Sequence, residues 1–456
     1  MYTFSKRLKT FALVLMVLGA LGMALGLWSA PKTVEQAKSM VASHDTHGET
    51  AAHDQAPAHE KQVVIIEGHE VEVGGAAEHE SSAEASHSAD HDTHLLHQLQ
   101  NKPWAAIYVA ALFALMIALG VLAFYGINRA AQAGWSPLLF RVMEGITAYL
   151  LPGGLLLLVI LVLTSMHFNH LFVWMDPEVV AHDELIQGKS GFLNVPGFLI
   201  RSVIYLGIWI GYQKLSRKLS LAEDHDTTTG SFVKNFRLSA AFLVLFLISE
   251  SMMSWDWIMS VDPHWFSTLF GWYVFASLFV SGITVIAMVT IYLKSKGLLA
   301  EVNDSHIHDL AKFMFGISVF WTYLWFSQFM LIWYSNIPEE VTYFVTRIED
   351  FKVGYFGMVA MNFLLPLLLL MNSDYKRLNW LVVITGIVIL VGHYFDVYHM
   401  IMPATVGDQA SFGLTELAAV AFFAGLFIFV VFTSIASAPI SPKNHPLIEE
   451  SKHFHY

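Results

Sequence analysis

Two carboxylates, Glu250 and Asp256, lie in a stretch that otherwise consists mainly of Leu, Ile, Met, Ser and Trp. A carboxylate is costly to bury among such residues, so it normally has a specific partner or a specific task. One such task is to bind and release protons, at two depths along one helix. The alternative is a structural contact inside a helix bundle, for which Arg201 is the candidate partner.

A second set of titratable residues lies near the end of another apolar stretch. His393, Asp396 and His399 follow one another at intervals of three residues, which places them along one side of a helix. Histidine titrates near neutral pH and can relay protons, and His393 is the deepest of the three. The alternative is an aromatic-rich helix end at a membrane interface, where Tyr and His are common.

A third carboxylate, Glu144, follows Arg141 by three residues. The two side chains form either a local ion pair or a point at which protons enter from the basic side of the chain. These observations give five candidate residues for a proton path, namely Glu144, Glu250, Asp256, His393 and Asp396.

The composition predicts that these residues belong to a membrane protein. The chain has 456 residues, of which 55% are hydrophobic and only 14% are charged, and its mean hydropathy is +0.53. Since about 20 apolar residues cross the hydrocarbon core, the repeated apolar runs predict an all-α polytopic protein with ten transmembrane helices. The predicted spans are 11–28, 104–127, 138–162, 198–213, 236–259, 266–293, 311–334, 353–371, 379–402 and 413–437, and the fourth is unusually short.

The distribution of Lys and Arg predicts the orientation of these spans. Basic residues concentrate in alternate connections, such as the one with Arg129 and Arg141, and the intervening connections are acidic or mixed. By the positive-inside rule, both termini are expected in the cytoplasm. The predicted division is a first transmembrane helix (1–31), an outer loop rich in His, Asp and Glu (32–102), a first four-helix bundle (103–263), a second four-helix bundle (264–403), a tenth transmembrane helix (404–437) and a cytoplasmic tail (438–456).

The outer loop carries two further patterns. Residues 63–73 contain two β-prone runs around Glu67 and Gly68, which fit a small hairpin. His87, His91, His94 and His97 have the spacing of one helix face and could chelate a metal ion. Tracts rich in His, Asp and Glu are more often solvated loops, so no metal site is predicted.

The chain contains no cysteine. This excludes disulfides, cysteine-ligated iron–sulfur clusters and covalently attached haem within the chain. The histidines of the apolar segments lie toward one side, which does not favour bound haem either. Nothing in the charge pattern indicates nucleic-acid binding.

A weak internal repeat relates the two predicted bundles. Asp256 precedes Pro263 by seven residues at the end of the fifth span, and Asp396 precedes Pro403 by seven residues at the end of the ninth. Helices two to five therefore correspond to helices six to nine. Since each unit has an even number of helices, the two units share one orientation.

Two long motifs resemble a known family. The segment 257–275, WIMSVDPHWFSTLFGWYVF, resembles the junction between the fifth and sixth helices of the NrfD-like membrane subunits. The segment 320–340, FWTYLWFSQFMLIWYSNIPEE, is similar to the next helix of that family. With ten helices and a His-rich outer loop, the chain is most similar to the F subunit of alternative complex III.

The resemblance implies a redox-silent integral subunit of a respiratory quinol:electron-acceptor oxidoreductase in the bacterial inner membrane, with a scaffolding role and a possible role in proton conduction. The implied partners are a paralogous NrfD-like C subunit, a periplasmic iron–sulfur subunit, multihaem and monohaem c-type cytochromes, small membrane subunits and a terminal haem-copper oxidase. The implied cofactors of the assembly are iron–sulfur clusters and haem c in those partners, with lipids and a quinone such as menaquinone beside this chain.

Two other functions fit the sequence. In one, the chain itself binds and oxidises quinol, using polar residues near the outer face, namely His167, Arg201, Glu250 and Asp256. In the other, it is a free-standing transporter with two parallel repeats, although the sequence contains no motif for a transported substrate.

Overall fold

The computed structural model describes residues 2–48 and 77–455, with side chains described for 2–41 and 92–455. Every regular element in these ranges is helical, and ten helices are long and apolar enough to cross a membrane. The prediction of an all-α multi-pass membrane protein is therefore confirmed. The predicted hairpin at 63–73 lies outside the described residues, as do the side chains of His87 and His91.

The helices follow one another along the chain with short connections. The α-helices are α1 (Lys6–Ser29), α2 (Val34–Gly48), α3 (Ala77–Ala130), α4 (Phe140–Thr147), α5 (Leu150–Ser165), α6 (Pro177–His182), α7 (Glu184–Gly188), α8 (Val195–Glu223), α9 (Gly230–Trp257), α10 (Phe270–Ser295), α11 (Asp304–Ser335), α12 (Pro338–Glu349), α13 (Lys352–Val359), α14 (Leu365–Leu370), α15 (Asn379–Thr405), α16 (Leu414–Ala436) and α17 (Ile448–Lys452). A π-helix over Ala360–Leu364 joins α13 to α14. Short 3₁₀ turns cover Pro137–Leu139, Val173–Met175, Met259–Val261, Tyr375–Arg377 and Gly407–Gln409.

Three elements differ from their predicted form. The fourth span was predicted to be short, but α8 runs for 29 residues to Glu223. The helix can extend this far because Glu223 is buried rather than solvated. Part of the predicted His-rich loop is helical, since α3 begins at Ala77 and continues into the second span. Pro403 does not close its helix, because α15 continues to Thr405.

The ten spans form two groups of four and one pair. Helices α3, α4–α5, α8 and α9 pack together as the first bundle, and α10, α11, α13–α14 and α15 pack together as the second. The two bundles meet mainly where α10 and α15 contact α3. The first and tenth spans, α1 and α16, form a separate pair that packs on α3 and α4.

The two ends of the spans differ in charge. The basic end is the one that carries Arg129, Lys218 and Lys294, and the acidic end carries Asp176 and Asp262. Each span runs from one of these ends to the other, and consecutive spans run in opposite directions. We call the two sides the basic end and the acidic end.

Small residues allow the central helices to approach closely. Gly120 of α3 faces the backbone of α10 at Leu278, and Gly282 of α10 faces the backbone of α3, where an added Cβ would come within 2.6 Å of the Val121 nitrogen. Each glycine therefore makes room for the other helix. This crossing fixes the interface between the two bundles.

We expect Gly120→Ala to destabilise the protein by about 1–3 kcal/mol, because the new methyl group overlaps the backbone of α10. Gly207 of α8 is the matched control, because an alanine there meets no neighbouring atom. Thermal unfolding in detergent is the measurement. Equal midpoints for Gly120→Ala and Gly207→Ala would contradict the close crossing.

Candidate functional site

Asp256 is the centre of a closed polar cluster at the acidic end of the first bundle. Its side chain is fully buried, and Arg201 donates to both of its oxygens, from Nε at 2.8 Å and from Nη2 at 2.7 Å. The Tyr205 hydroxyl donates to Oδ2 at 2.6 Å. A bidentate arginine and a phenol satisfy this carboxylate as a structural pair, as the alternative interpretation of the sequence expected.

Asp396 occupies the corresponding position in the second bundle, but its surroundings differ. Tyr273 donates its hydroxyl to Oδ1, and Trp321 donates Nε1–H to Oδ2 at 2.9 Å. His393 Nδ1 lies 3.3 Å from Oδ2. Among the described side chains, no Lys or Arg nitrogen comes within 4.0 Å of this carboxylate. Asp396 is therefore held by neutral donors and a titratable imidazole.

The structure brings His393 and Asp396 together as the spacing of three residues predicted. His393 is completely buried, and its Nδ1 is also 3.0 Å from the Ser277 hydroxyl. Its Nε2 has no hydrogen-bond partner among the described residues. A buried imidazole with one free nitrogen can accept or pass on a proton at that atom.

The π-helix places another unpaired polar group beside this helix. Asn362 is fully buried, and neither its amide nitrogen nor its oxygen finds a partner in the described part of the chain. Its side chain packs against Gly392, which immediately precedes His393, and a Cβ at Gly392 would collide with it. π-Helical turns are frequent at functional sites, because they break the regular backbone ladder.

A small cavity adjoins Asp396 on the side of the acidic end. Its volume is about 10 Å³, and Asp396 shares its lining with Gln328, Arg347 and His399. The Gln328 Oε1 and Arg347 Nη2 atoms are buried and have no hydrogen-bond partner in the described ranges. The second bundle and the adjoining α12 thus contain four buried polar side chains with an atom that has no partner in the described residues, namely Asn362, His393, Gln328 and Arg347.

Glu144 lies at the basic end of the first bundle within a buried ion cluster. Arg141 Nη1 donates to Glu144 Oε2 at 3.0 Å, and the Tyr125 hydroxyl donates to Oε1 at 3.1 Å. Arg129 also pairs with Glu223 at 2.7 Å, and Arg141 pairs with Asp224 at 2.7 Å. The predicted pair of Arg141 and Glu144 is therefore one part of a larger network.

The charges of this network balance. Arg217 donates to the backbone oxygen of Glu144 at 3.1 Å, so the cluster contains three arginines and three carboxylates. Buried charges are tolerated when they are paired, as Arg129 and Arg141 are here. Glu144 is therefore enclosed by structural contacts rather than left open as an entry point.

The C-terminal residues 438–455, here called the strap, cover this cluster. The Lys443 backbone nitrogen donates to Asp224 Oδ1 at 2.9 Å, and Ser451 Oγ donates to the Trp135 carbonyl at 2.7 Å. Beyond the cluster, Asn303 donates to the Phe454 carbonyl at 2.6 Å. The strap consequently spans the basic ends of both bundles.

Glu250 does not join Asp256. The two residues are six apart in α9, which places their side chains about 120° apart around the helix and about 9 Å apart along it. Glu250 is buried, and its Oε1 has no partner among the residues that the structure describes. A continuous path from Glu250 to Asp256 is therefore not built into this helix.

His167 lies apart from the other predicted quinone-site residues. It lines a cavity of about 400 Å³ at the acidic end together with His94, His97, His170 and Asp176. The His97 and His170 rings stack with centroids 4.3 Å apart. Within the described ranges, no three His, Asp or Glu side chains have the arrangement of a metal site.

A separate cavity of about 280 Å³ lies at the acidic end of the first bundle, and neither Arg201 nor Asp256 lines it. It is lined by aromatic and small residues, including Phe192, Trp255, Trp265 and Phe266, and by Lys189. Burial lowers the pKa of Lys189 below its usual value, and its Nζ donates to the Pro263 carbonyl at 2.5 Å.

The sequence did not reveal several partners in these clusters. The sequence analysis assigned no role to Tyr273 and Trp321, which contact Asp396, or to Glu223 and Asp224, which pair with Arg129 and Arg141. Arg347 carried one usable signal, since it is the sole basic residue of the acidic connection 336–351. A lone cation at an acidic end is a reasonable candidate partner for a nearby buried carboxylate.

Comparison with known proteins does not extend these observations. No protein-family model matches the chain, and no curated protein matches it.

The strap should respond to pH through His445. This residue is buried between the rings of Phe140 and Phe232, and burial together with the nearby Arg129 and Arg141 lowers its pKa to about 3. The unfolded chain binds a proton near pH 6.5, so this site stabilises the fold above that pH and loses its contribution as the pH falls toward 3.

We therefore expect wild-type protein to lose thermal stability relative to His445→Leu between pH 7 and pH 5. The measurement is the difference between the two unfolding midpoints across that range. A difference that does not change with pH would show that this imidazole is not held neutral in the fold.

Proposed function

We propose that this chain is a redox-silent integral membrane subunit of a quinol:electron-acceptor oxidoreductase complex, in which it conducts protons through its second bundle. The observation that carries the proton role is the buried cluster of Asp396, His393 and Tyr273. Among the described residues, no Lys or Arg pairs directly with this carboxylate, so no ion pair closes it as one closes Asp256. Such a group can take up and release a proton within the membrane.

The neighbours of this cluster also support proton transfer. His393 contacts Asp396 with Nδ1, and its Nε2 has no partner in the part of the chain that the structure describes. Asn362 lies on the adjacent π-helix, and Gln328 lies at the small cavity toward the acidic end. Polar groups on both sides of a carboxylate–imidazole pair could hold the waters that a proton relay requires.

The first bundle offers less support for conduction. Asp256 is closed by Arg201 and Tyr205, Glu144 is fixed among arginines, and the strap covers the basic end. The predicted proton-path residues Glu144 and Asp256 are thus better suited to structural support. Glu250 stays a candidate because it is buried and its Oε1 finds no partner within the described ranges.

The assignment to a respiratory complex rests on the sequence resemblance. The absence of cysteine fits a subunit whose iron–sulfur and haem c partners carry the electrons. We propose a bacterial inner-membrane location with the basic end and both termini in the cytoplasm, which follows the positive-inside rule. The acidic end would then face the periplasmic subunits.

Quinol binding by this chain is the second candidate function. The 280 Å³ cavity at the acidic end of the first bundle favours it, because aromatic side chains suit a quinone ring. Arg201 and Asp256 do not line this cavity and already satisfy each other, however, so the predicted polar residues do not support the binding of a quinol there.

A photoreactive quinone analogue tests this candidate. If quinol binds here, mass spectrometry should find label on Trp255 or Phe266 that is displaced by excess native quinone. Label confined to other subunits would remove this function.

For the proton role, we expect Asp396→Asn in the assembled complex to reduce the protons released per quinol oxidised and to slow release by about 10²-fold, because the amide cannot carry the proton. Asp256→Asn should keep the stoichiometry but lower stability by about 3 kcal/mol, since it leaves Arg201 without its counter-charge. Proton release is measured with a pH dye in vesicles during quinol oxidation.

The result for Asp396→Asn decides the proposal. Unchanged stoichiometry and rate in this variant would remove the conduit and leave a scaffolding role. Slower quinol oxidation in an assembled Asp256→Asn complex that still releases the wild-type number of protons per quinol would instead favour the quinol-binding candidate.

A further inference from the structure

Each bundle contains an arginine in the same local setting near its buried aspartate. The Arg201 guanidinium lies 4.0 Å from the centre of the Phe192 ring and donates to the Phe192 carbonyl. The Arg347 guanidinium lies 3.3 Å from the centre of the Tyr343 ring and donates to the Tyr343 carbonyl. In both bundles an aromatic residue therefore holds the arginine by its ring and by its backbone.

The two arginines differ in their remaining hydrogen bonds. Arg201 closes on Asp256 with two hydrogen bonds. Arg347 uses Nε on the His399 carbonyl at 2.9 Å and Nη1 on Tyr343, and its Nη2 reaches no acceptor among the described residues. Arg347 and Asp396 line the same small cavity.

The volume and lining of this cavity match one water molecule. At about 10 Å³ it is at the lower limit for a single water, which normally makes about three hydrogen bonds. Arg347 Nη2 can donate, and Gln328 Oε1 can accept. Asp396 Oδ1 receives one bond from Tyr273 and has capacity for a second. Arg347 Nη2 and Gln328 Oε1, which find no partner among the described residues, both belong to side chains that are more than nine-tenths buried. One water molecule is the right size to bind both atoms.

We infer that a single bound water links Asp396 to Arg347 and Gln328, and that Arg347 is the positioning residue for proton exit from the second bundle. The two bundles then hold the same aspartate–arginine element in two forms, directly paired around Asp256 and water-separated around Asp396. The role in proton exit rests on the proposed function, but the water site does not.

The water accepts the proton of the Asp396 carboxyl group and gives one of its own protons to His399, whose imidazole also lines the cavity, so it stays a water molecule. His399 Nδ1 donates to the Phe395 carbonyl at 2.6 Å, which leaves Nε2 as the accepting atom. The carboxylate left behind is stabilised by the guanidinium across that water. A direct ion pair, as at Asp256, occupies both carboxylate oxygens and leaves no place for a water between the two side chains.

The water site is tested by radiolytic hydroxyl-radical labelling of the intact complex, read by mass spectrometry. Met400 lines the cavity and is 5% exposed, and the fully buried Met402, which does not line the cavity, is the internal reference. We expect Met400 to be oxidised faster than Met402, and Gln328→Leu to abolish the difference. Equal oxidation in the wild-type complex would overturn the water site.

The arginine is tested by Arg347→Gln in the same complex. We expect proton release to slow by roughly tenfold or more while quinol oxidation continues, and its pH profile to move, because the charge across the water is lost. Arg347→Lys should recover part of the rate. Lys352→Gln removes an exposed positive charge five residues away and should behave as wild type.

The outcomes separate the two proposals. Wild-type rate and pH profile in Arg347→Gln would overturn the role of the arginine. If Asp396→Asn leaves proton release unchanged while Met400 is still labelled, the proposed function fails and the water site stands. If Asp396→Asn blocks release but Met400 is not labelled, the proton role stands and the inference fails.

Discussion

The cost of placing a carboxylate inside a membrane is the constraint on which the rest of this structure depends. Such a group must either be paired with a cation or be held neutral, because an isolated charge is strongly disfavoured in a low-dielectric interior. The chain uses both solutions. Glu144 and Asp256 are paired with arginines, whereas Asp396 is surrounded by Tyr273, Trp321 and His393.

The two bundles differ in how their corresponding aspartates are held. Ion pairs with arginines close on Asp256 and Glu144 in the first bundle, and the Gly120–Gly282 crossing joins the second bundle to it. Among the described residues, buried polar atoms without a partner occur in both bundles, but only Asp396 has them beside it on a small cavity and next to a π-helix. An internal repeat can thus keep one fold while the surroundings of one residue change between its copies.

The general fold was predictable because its signals are local. Apolar runs give the ten spans, and the positions of Asp256 and Asp396 relative to proline indicated the repeat. The length of α8 was missed, since Glu223 looks solvated in the sequence until Arg129 of α3 is placed beside it. The contrast between the two aspartates was also invisible, because it depends on how far Arg201 and Arg347 reach in three dimensions.

Infrared difference spectroscopy during quinol oxidation by the assembled complex tests the central claim most directly. The claim predicts a protonated-carboxyl band that changes during turnover, disappears in Asp396→Asn and persists in Asp256→Asn. A changing band that is lost in Asp256→Asn, or the absence of any carboxyl band that depends on Asp396, would contradict it.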